Sequence, residues 1–340
     1  MEHVRVVGHP AGEGGVPAPA PGSSLAAATG VVVAAVDIGA HSTHLLVAAV
    51  DGHRVAPLLD TSDILGLGAI VDREARLPGP ARAALVATLA GYARAARDLG
   101  ATEIAVVATE PLRRAAGAAR IVAEVEAATG APCHVVEPEE EGRLTLLGVT
   151  GGAPLDADLV LADVGGGSTE LVLAGPAGPV RVRGLAIGAT RLTDALVSHD
   201  PPTAAELAAV RAAADRVLAT APGGRPSRAV VVGGTGSNLA RVAAVAGGAE
   251  VITLERLAAL VEELLDGPAE TVAGRFGIRP TRARVLPAGA AIAAALAERY
   301  GLDRLVVQGE GIREGTVLAL ARAGRGWRDR LDRLAHGWAR

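Results

Sequence analysis

The sequence predicts an α/β protein built from two similar domains. Two segments each combine an apolar strand, an acid–glycine turn with hydroxyl residues and a second apolar strand; their first acids are Asp37 and Asp163. Each segment continues through a further turn into a third strand, and helical apolar patterns follow. A repeat of three strands followed by helices indicates two α/β domains of one design. If the domains face each other, the two glycine turns close on one cleft.

The first copy begins with the apolar run 31–36 and turns at Asp37-Ile38-Gly39-Ala40-His41-Ser42-Thr43. The run 44–50 is the second predicted strand, and 54–59 is the third, after the turn Asp51-Gly52. Apolar spacing then alternates between helical and strand periods up to the second copy. The predicted helices are 80–99, 115–129 and 139–149, and the predicted strands are 104–108 and 133–136.

In the second copy, strands 159–162 and 171–174 flank Asp163-Val164-Gly165-Gly166-Gly167-Ser168-Thr169-Glu170, and 180–186 is the third strand. Glycines let a ligand approach the backbone N–H groups closely, and the two hydroxyls add donors. Asp163 and Glu170 are hard oxygen ligands of the kind that Mg²⁺ takes. The segment therefore predicts a phosphate cradle beside a metal, and an ordinary glycine-rich hairpin is the alternative.

A third glycine turn, Gly233-Gly234-Thr235, ends the strand 229–232, and an apolar helix is predicted from Leu239. Backbone N–H groups at the start of a helix favour anions, although paired glycines before a helix also serve packing alone. The remaining predicted elements are helices 203–219, 254–265 and 284–300, a strand at 305–308 and a closing helix at 315–323.

Composition limits the partners. The 340 residues have a formal net charge of −4, which argues against a general nucleic-acid or membrane surface. The sequence contains no lysine, so a polyanion would be bound by a local group of arginines. The single cysteine, Cys133, excludes an intrachain disulfide. Residues 1–30 are rich in Gly, Pro and Ala and lack the order of a signal peptide, so a disordered tail and a cytoplasmic protein are expected.

The three glycine turns, in this order, resemble those of the exopolyphosphatase/guanosine pentaphosphate phosphatase family, within the sugar kinase–actin–Hsp70 fold group. Further similar segments are 108–115, 140–144, 187–192, 284–289 and 311–315. The resemblance covers about residues 31–320 and implies two ribonuclease-H-like domains facing an interdomain cleft. We expect a first domain of 31–137 plus 316–340 and a second of 138–315, after the tail.

The resemblance implies a phosphoanhydride hydrolase that uses Mg²⁺ or Mn²⁺ and releases terminal phosphate by attack of water. Its substrate would be inorganic polyphosphate, guanosine pentaphosphate or both, and a homodimer is possible. Longer family members carry an additional helical domain after the segment that 311–315 resembles, which favours short polyphosphate here. A kinase of the same fold group and a non-catalytic sensor of guanosine tetra- or pentaphosphate remain as alternatives.

Site residues follow from the matching segments. Glu141 aligns with the family's catalytic glutamate, whereas the acidic run 139–141 could equally compensate a helix dipole. Arg113 is expected to grip a phosphoryl group, and Asp163 and Glu170 are expected to hold the metal. The expected phosphate-binding residues are Asp37, Gly39, Ser42, Gly165, Gly166, Gly167, Ser168, Thr169, Gly234 and Thr235.

The sequence also departs from the family pattern. Ala40 and His41 stand where a serine and an asparagine are usual in the first turn, and Gly142 replaces alanine beside Glu141. These differences leave the substrate preference open. The sequence leaves two alternatives for Arg191, helix packing and an interdomain ion pair. Arg313 is expected to pair with its acidic neighbour near the domain junction.

Overall fold

The computed structural model describes residues 30–246 and 250–336. The predicted disordered tail lies outside the described residues, apart from Gly30. Within the described part, two β-sheets are each flanked by helices, which confirms the predicted α/β class. None of the described helices is long and apolar enough to cross a lipid bilayer.

The first sheet has five strands in the order β3-β2-β1-β4-β5. Strands β1 to β3 run antiparallel to one another, whereas β4 and β5 run parallel to β1. The strands are β1 (Val31–Ile38), β2 (Ser42–Asp51), β3 (Arg54–Ile64), β4 (Glu103–Ala108) and β5 (Cys133–Val135). The accompanying helices are α1 (Leu67–Glu74), α2 (Gly79–Asp98), α3 (Glu110–Arg114) and α4 (Ala118–Thr129).

The second sheet repeats this design. Its strands are β6 (Leu159–Val164), β7 (Thr169–Ala174), β8 (Arg181–Leu185), β9 (Arg228–Val232), β10 (Val251–Thr253) and β11 (Arg304–Val307). The order β8-β7-β6-β9-β11 matches that of the first sheet in sequence and direction, and β10 extends it antiparallel to β11. The helices are α6 (Ala189–Leu196), α7 (Ala204–Leu218), α8 (Gly233–Val245), α9 (Leu254–Leu264), α10 (Ala269–Phe276) and α11 (Pro280–Arg299).

Two helices, α5 (Pro138–Thr150) and α12 (Ile312–Ala323), lie between the sheets. Leu144 of α5 and Val317 of α12 are buried in one apolar cluster with the first sheet, while Leu146 packs with the second. The 3₁₀ turns Gly324–Gly326 and Arg328–Arg330 and helix α13 (Leu331–Ala335) follow α12. The closing helix therefore returns to the first sheet, and the domain boundaries stay a prediction.

The strand directions place the glycine turns together. Asp37 lies near the carboxyl end of β1 and Asp163 near that of β6, while Thr109 follows β4 and Gly233 follows β9. Ligands of open α/β sheets bind outside the carboxyl ends of the strands, where the backbone turns away from the sheet. Both sheets direct these ends toward one shared cleft.

Several elements differ from the sequence expectation. Helices α1, α3, α6, α10 and α13 and strand β10, all of eight residues or fewer, were not predicted, because short segments show little periodicity. The prediction that a helix begins at Leu239 is wrong: α8 begins at Gly233. Gly233-Gly234-Thr235 is therefore the first turn of a helix, and Gly233 lies against Asp163 and Val164 at the end of β6.

Candidate active site between two glycine turns

A cleft of about 450 Å³ lies between the two glycine turns. It is lined by these predicted site residues: Asp37, Gly39, Ser42, Glu141, Asp163, Gly165, Gly166, Gly167, Ser168, Glu170 and Gly234. Three others, Arg113, Thr169 and Thr235, are not part of its lining. The structure thus brings together residues that are far apart in sequence, and it leaves the remaining three outside the lining of the cleft.

The two turns close in the same way. The N–H of Gly39 donates to the carbonyl of Ser42 at 3.1 Å, and the N–H of Gly165 donates to that of Ser168 at 3.0 Å. In the first turn, the Ser42 hydroxyl lies 2.7 Å from Nε2 of His44 and accepts from Nη2 of Arg282 at 2.8 Å. The first turn is therefore tied to helix α11 of the other half of the molecule.

Thr169 and Thr235 are buried side chains with structural contacts. The Thr169 hydroxyl donates to the carbonyl of Ile187 at 2.9 Å, which ties the start of β7 to the segment that follows β8. Thr235 packs against Gly289, where an added Cβ would lie 2.6 Å from its hydroxyl. The predicted phosphate contacts of these two residues would require their side chains to leave buried positions.

Glu140 and Glu141 face different surroundings at the start of α5. Oε2 of Glu140 accepts from the N–H of Glu137 at 2.9 Å, completing a capping box, and Arg328 pairs with the same carboxylate. Glu141, one residue further around the helix, is 6% exposed and lines the cleft. Glu140 therefore serves the start of the helix, whereas the catalytic role of Glu141 stays a prediction.

Arg113 lies behind the carboxylates. Its Nη1 donates to Oε2 of Glu141 at 2.7 Å and to the carbonyl of Val136 at 2.6 Å. Its Nη2 lies 3.6 Å from Oε1 of Glu170. Because Arg113 holds two carboxylates and does not line the cleft, the geometry favours an orienting role over a direct grip on substrate.

Burial dominates the electrostatics of the acidic residues. It raises the pKa of Asp37 to about 8 and that of Asp163 to about 6, and it also raises the pKa values of Glu141 and Glu170. Arg113 works against this rise at Glu141. Burial thus favours the protonated forms of these four carboxyl groups, and the nearby arginines offset that effect only in part.

The carboxylates fit a divalent cation with water in most coordination positions. Asp163 and Glu170 are directly opposite each other in the β6–β7 ladder, and Oε1 of Glu170 is buried without a hydrogen bond. The Thr145 hydroxyl donates to Oδ2 of Asp163 at 3.2 Å. No group of three or more His, Cys, Asp or Glu among the described residues forms a metal cage. Mg²⁺ commonly binds through one or two carboxylates and several waters, so this pair suffices.

Four arginines that the sequence reasoning did not assign to substrate line the cleft: Arg241, Arg279, Arg282 and Arg313. Arg279 and Arg282 are three positions apart at the start of α11, which was predicted to begin later, at residue 284. Arg313 is buried by 84% of its side chain and pairs with Asp60 as well as with Glu314. The sequence signal that could have identified Arg279 and Arg282 as a pair is their i, i+3 spacing just before the apolar run of α11.

The two histidines of the first turn are held neutral. Burial, with Arg282 and Arg279 nearby, lowers the pKa of His41 to about 4, and burial lowers that of His44 to about 3. Nε2 of His41 is buried without a hydrogen-bond partner in the described structure. Gly142 is the other position that departs from the family pattern, and it packs against Val182. A Cβ added at position 142 would lie 2.5 Å from Cγ1 of Val182.

Solved structures share the overall fold. The crystal structure of the Aquifex aeolicus Ppx/GppA family member has a TM-score of 0.75 and 28% sequence identity, and the alignment covers 87% of this chain and 99% of that one. An exopolyphosphatase from Cytophaga hutchinsonii also has a TM-score of 0.75, at 17% identity and 86% and 98% coverage, which shows the common fold alone.

Sequence comparison agrees. Exopolyphosphatase 1 of Mycobacterium leprae is 29% identical over 295 residues, which are 83% of this chain and 87% of that protein. The Ppx/GppA phosphatase family model matches residues 46–323, a span that begins within β2, just after the first glycine turn, and includes the second and third glycine turns and helix α12. This chain belongs to the Ppx/GppA phosphatase family.

Proposed function

We propose that this protein is an exopolyphosphatase that hydrolyses the terminal phosphoanhydride of inorganic polyphosphate. The observation that carries the proposal is the position of Glu141, a buried carboxylate that lines a cleft between two glycine turns and is held by Arg113 at 2.7 Å. The relatives named as exopolyphosphatases support the same reaction class.

Phosphoryl transfer to water requires neutralised phosphoryl oxygens and an attacking water in line with the bond that breaks. The turns that begin at Gly39 and Gly165 and the start of α8 line the cleft, and their backbone N–H groups that make no internal hydrogen bond would serve as anion donors. Arg279 and Arg282 add positive charge to the lining of the same cleft. These groups would hold a polyanion in a chain whose net charge is −4.

Glu141 would orient the attacking water and accept its proton. A general base works best when its pKa lies near the working pH, and burial moves the pKa of Glu141 upward in that direction. The Arg113 guanidinium would fix the carboxylate rotamer and keep it from full protonation. The incoming proton stays on Glu141 until the product phosphate leaves.

Mg²⁺ or Mn²⁺ would be held by Asp163 and Glu170. When bound, the cation would neutralise phosphoryl oxygens of the substrate. Its charge would also offset the four buried carboxylates, since the described cations near them are Arg113 and Arg313. The chain's own residues perform the remaining work of binding, orientation and proton acceptance.

The residues of the first turn that depart from the family pattern bear on which substrate the protein prefers. Ala40 and His41 leave the turn without one hydroxyl and one amide, and His41 presents a neutral imidazole at the cleft. We propose that short polyphosphate is hydrolysed faster than long chains and that guanosine pentaphosphate is a second substrate.

One assay panel tests the proposal. Phosphate release is measured from tripolyphosphate, long-chain polyphosphate and guanosine pentaphosphate with Mg²⁺, and again after exhaustive chelation. Release that depends on the metal and is lost in Glu141→Gln supports the proposal. Tight guanosine pentaphosphate binding without phosphate release from any compound would identify a sensor, and ADP formation from ATP with an acceptor would identify a kinase.

A further inference from the structure

A second basic cavity lies in the first half of the molecule, apart from the cleft. It has a volume of about 310 Å³, and three arginines line it: Arg76, Arg82 and Arg120. Its other lining residues are Leu77, Pro78, Gly79, Ala116, Gly117 and Ile121, so no described carboxylate lines it. None of these residues lines the cleft.

The charges around this cavity do not balance. Glu124 is the acidic partner of two of the arginines: Oε2 meets Nε of Arg82 at 2.8 Å, and Oε1 meets Nε of Arg120 at 2.9 Å. The Arg76 guanidinium is exposed and makes no ion pair or hydrogen bond with another described residue. Three guanidinium groups therefore line the concave surface, and a single carboxylate pairs with two of them, which leaves a local excess of positive charge in an acidic protein.

Two helix starts face the same cavity and add to that potential. Gly79 is the first residue of α2, and Gly117 directly precedes α4, whose lengths are 20 and 12 residues. No side chain caps either start. Pro80 has no N–H, so the donors that remain are the backbone N–H groups of Gly79 and Ala81 in α2 and of the first residues of α4. Helix starts and guanidinium groups favour the same kind of ligand, a compact oxyanion.

We propose that this cavity binds a phosphate group. Arginine forks match the tetrahedral oxyanion bidentately, and the absence of a lining carboxylate removes the main source of repulsion. Leu77 and Ile121 form an apolar floor, which limits the space for hydration of the bound ion. The site is independent of the carboxylate cluster and requires no metal.

The phosphate has two possible sources, a free orthophosphate ion or a distant unit of a polyphosphate chain held in the cleft. Helix α3 connects the two places: Glu110 at its start lines the cleft, and Ala116, just past its end, lines the cavity. At about 1.5 Å per helical residue, the separation is on the order of 10 Å, so one long chain can reach both. The chain source rests on the proposed function, whereas the orthophosphate source does not.

Arg76→Gln and Arg120→Gln test the site, with Arg94→Gln as a matched control. Arg94 is exposed on α2, lines neither cavity and has the same charge change. Calorimetric titration with inorganic phosphate is the first arm, and the KM values for tripolyphosphate and long-chain polyphosphate are the second. The kcat on tripolyphosphate should stay unchanged in all three variants.

Each pattern of results decides the matter. We expect phosphate affinity, the long-chain affinity or both to weaken about tenfold in Arg76→Gln and Arg120→Gln but not in Arg94→Gln. Loss of phosphate affinity alone assigns free orthophosphate, and a higher KM for long chains alone assigns a chain segment. If both test variants match Arg94→Gln in both arms, or if the two KM values rise equally without a change in phosphate affinity, the site does not exist.

Discussion

Glu110 and Arg191 join the two halves of the molecule at the mouth of the cleft. Nη2 of Arg191, on α6, donates to Oε1 of Glu110, at the start of α3, at 2.8 Å. Nε of the same guanidinium donates to the carbonyl of Gly167 at 2.7 Å. Arg114 pairs with Glu110 from the other side. A single arginine therefore couples the second glycine turn to the first half of the protein.

Arg191→Lys tests this coupling. A lysine ammonium keeps the charge but cannot hold the Gly167 carbonyl and Glu110 in the same fixed geometry. We expect kcat/KM on polyphosphate to fall by roughly ten- to a hundredfold, the value of one charge-assisted hydrogen bond. Glu110→Gln should lower it less, and the double variant should lose less than the sum of the two in free energy. If the free-energy losses of the two single variants add up in the double variant, Arg191 and Glu110 act independently of each other.

Glu141→Gln should remove the base while preserving the side-chain size. Turnover on polyphosphate should fall by roughly 10²–10⁴-fold, and the KM should change little because substrate binding uses the turns and arginines. Steady-state kinetics of phosphate release measure both constants. Glu140→Gln is the control, since Glu140 caps α5 and pairs with Arg328 away from the cleft. Equal losses in the two variants would contradict the assignment.

Arg113→Lys should act on kcat and leave the KM nearly unchanged. The structure places Arg113 behind the cleft, with hydrogen bonds to Glu141 and to the carbonyl of Val136, so the planar fork orients the base. A lysine cannot make both contacts in one plane, and turnover should fall about tenfold or more. Arg94→Lys, far from the site, should match the wild type. A rise in KM with unchanged kcat would restore the direct phosphate grip that the sequence suggested.

The close packing of helices α5 and α12 between the sheets leads to a prediction about the stability of the protein. Gly148 of α5 and Gly315 of α12 lie against each other. A Cβ added at Gly148 would lie 2.0 Å from the carbonyl oxygen of Gly311. Gly148→Ala should therefore destabilise the protein by about 1–3 kcal/mol or more through overpacking. Gly274→Ala, in open space within α10, should stabilise it by about 0.4–1 kcal/mol. Thermal unfolding of the two variants should shift in opposite directions.

The fold was largely predictable because its signals are local and repeated. Asp37-Ile38-Gly39 and the segment from Asp163 to Glu170 identify the two strand–turn–strand units, and the strand orders follow from that repeat. The direction of individual side chains was not predictable in the same way. Arg113 stands next to a cleft-lining segment but turns inward, because its partners Glu141 and Glu170 come from other elements.

The cleft arginines were missed for a related reason. Arg282 reaches the Ser42 hydroxyl across 240 positions of sequence, a contact that no local pattern encodes. Thr235 shows the opposite case, since its glycine-turn context suggested a ligand contact, whereas the helix starts at Gly233 and buries it against α11. Tertiary packing decided both positions.

Asp37 makes the stability of the metal-free protein depend on pH. Burial, then the neighbouring Glu141 and Asp163, raise its pKa from 3.8 to about 8. Between those values the folded protein keeps the proton and the unfolded chain releases it, so rising pH favours unfolding until about pH 8. The two neutral histidines have the opposite effect, but their contribution is complete above their ordinary pKa of 6.5.

Above pH 7 the histidine contribution is constant, but the raised pKa values of Glu141 and Glu170 act in the same direction as that of Asp37. The comparison of the wild type with Asp37→Asn therefore isolates the carboxyl group of Asp37. In the presence of a chelator, the melting temperature should fall across the pH window from 7 to 8 in the wild type and fall less in Asp37→Asn, whose amide does not titrate. Adding Mg²⁺ at pH 8 should raise the wild-type melting temperature, because a cation near the cluster stabilises the ionised form. Parallel pH profiles for the two proteins would show that Asp37 is already ionised in the folded state.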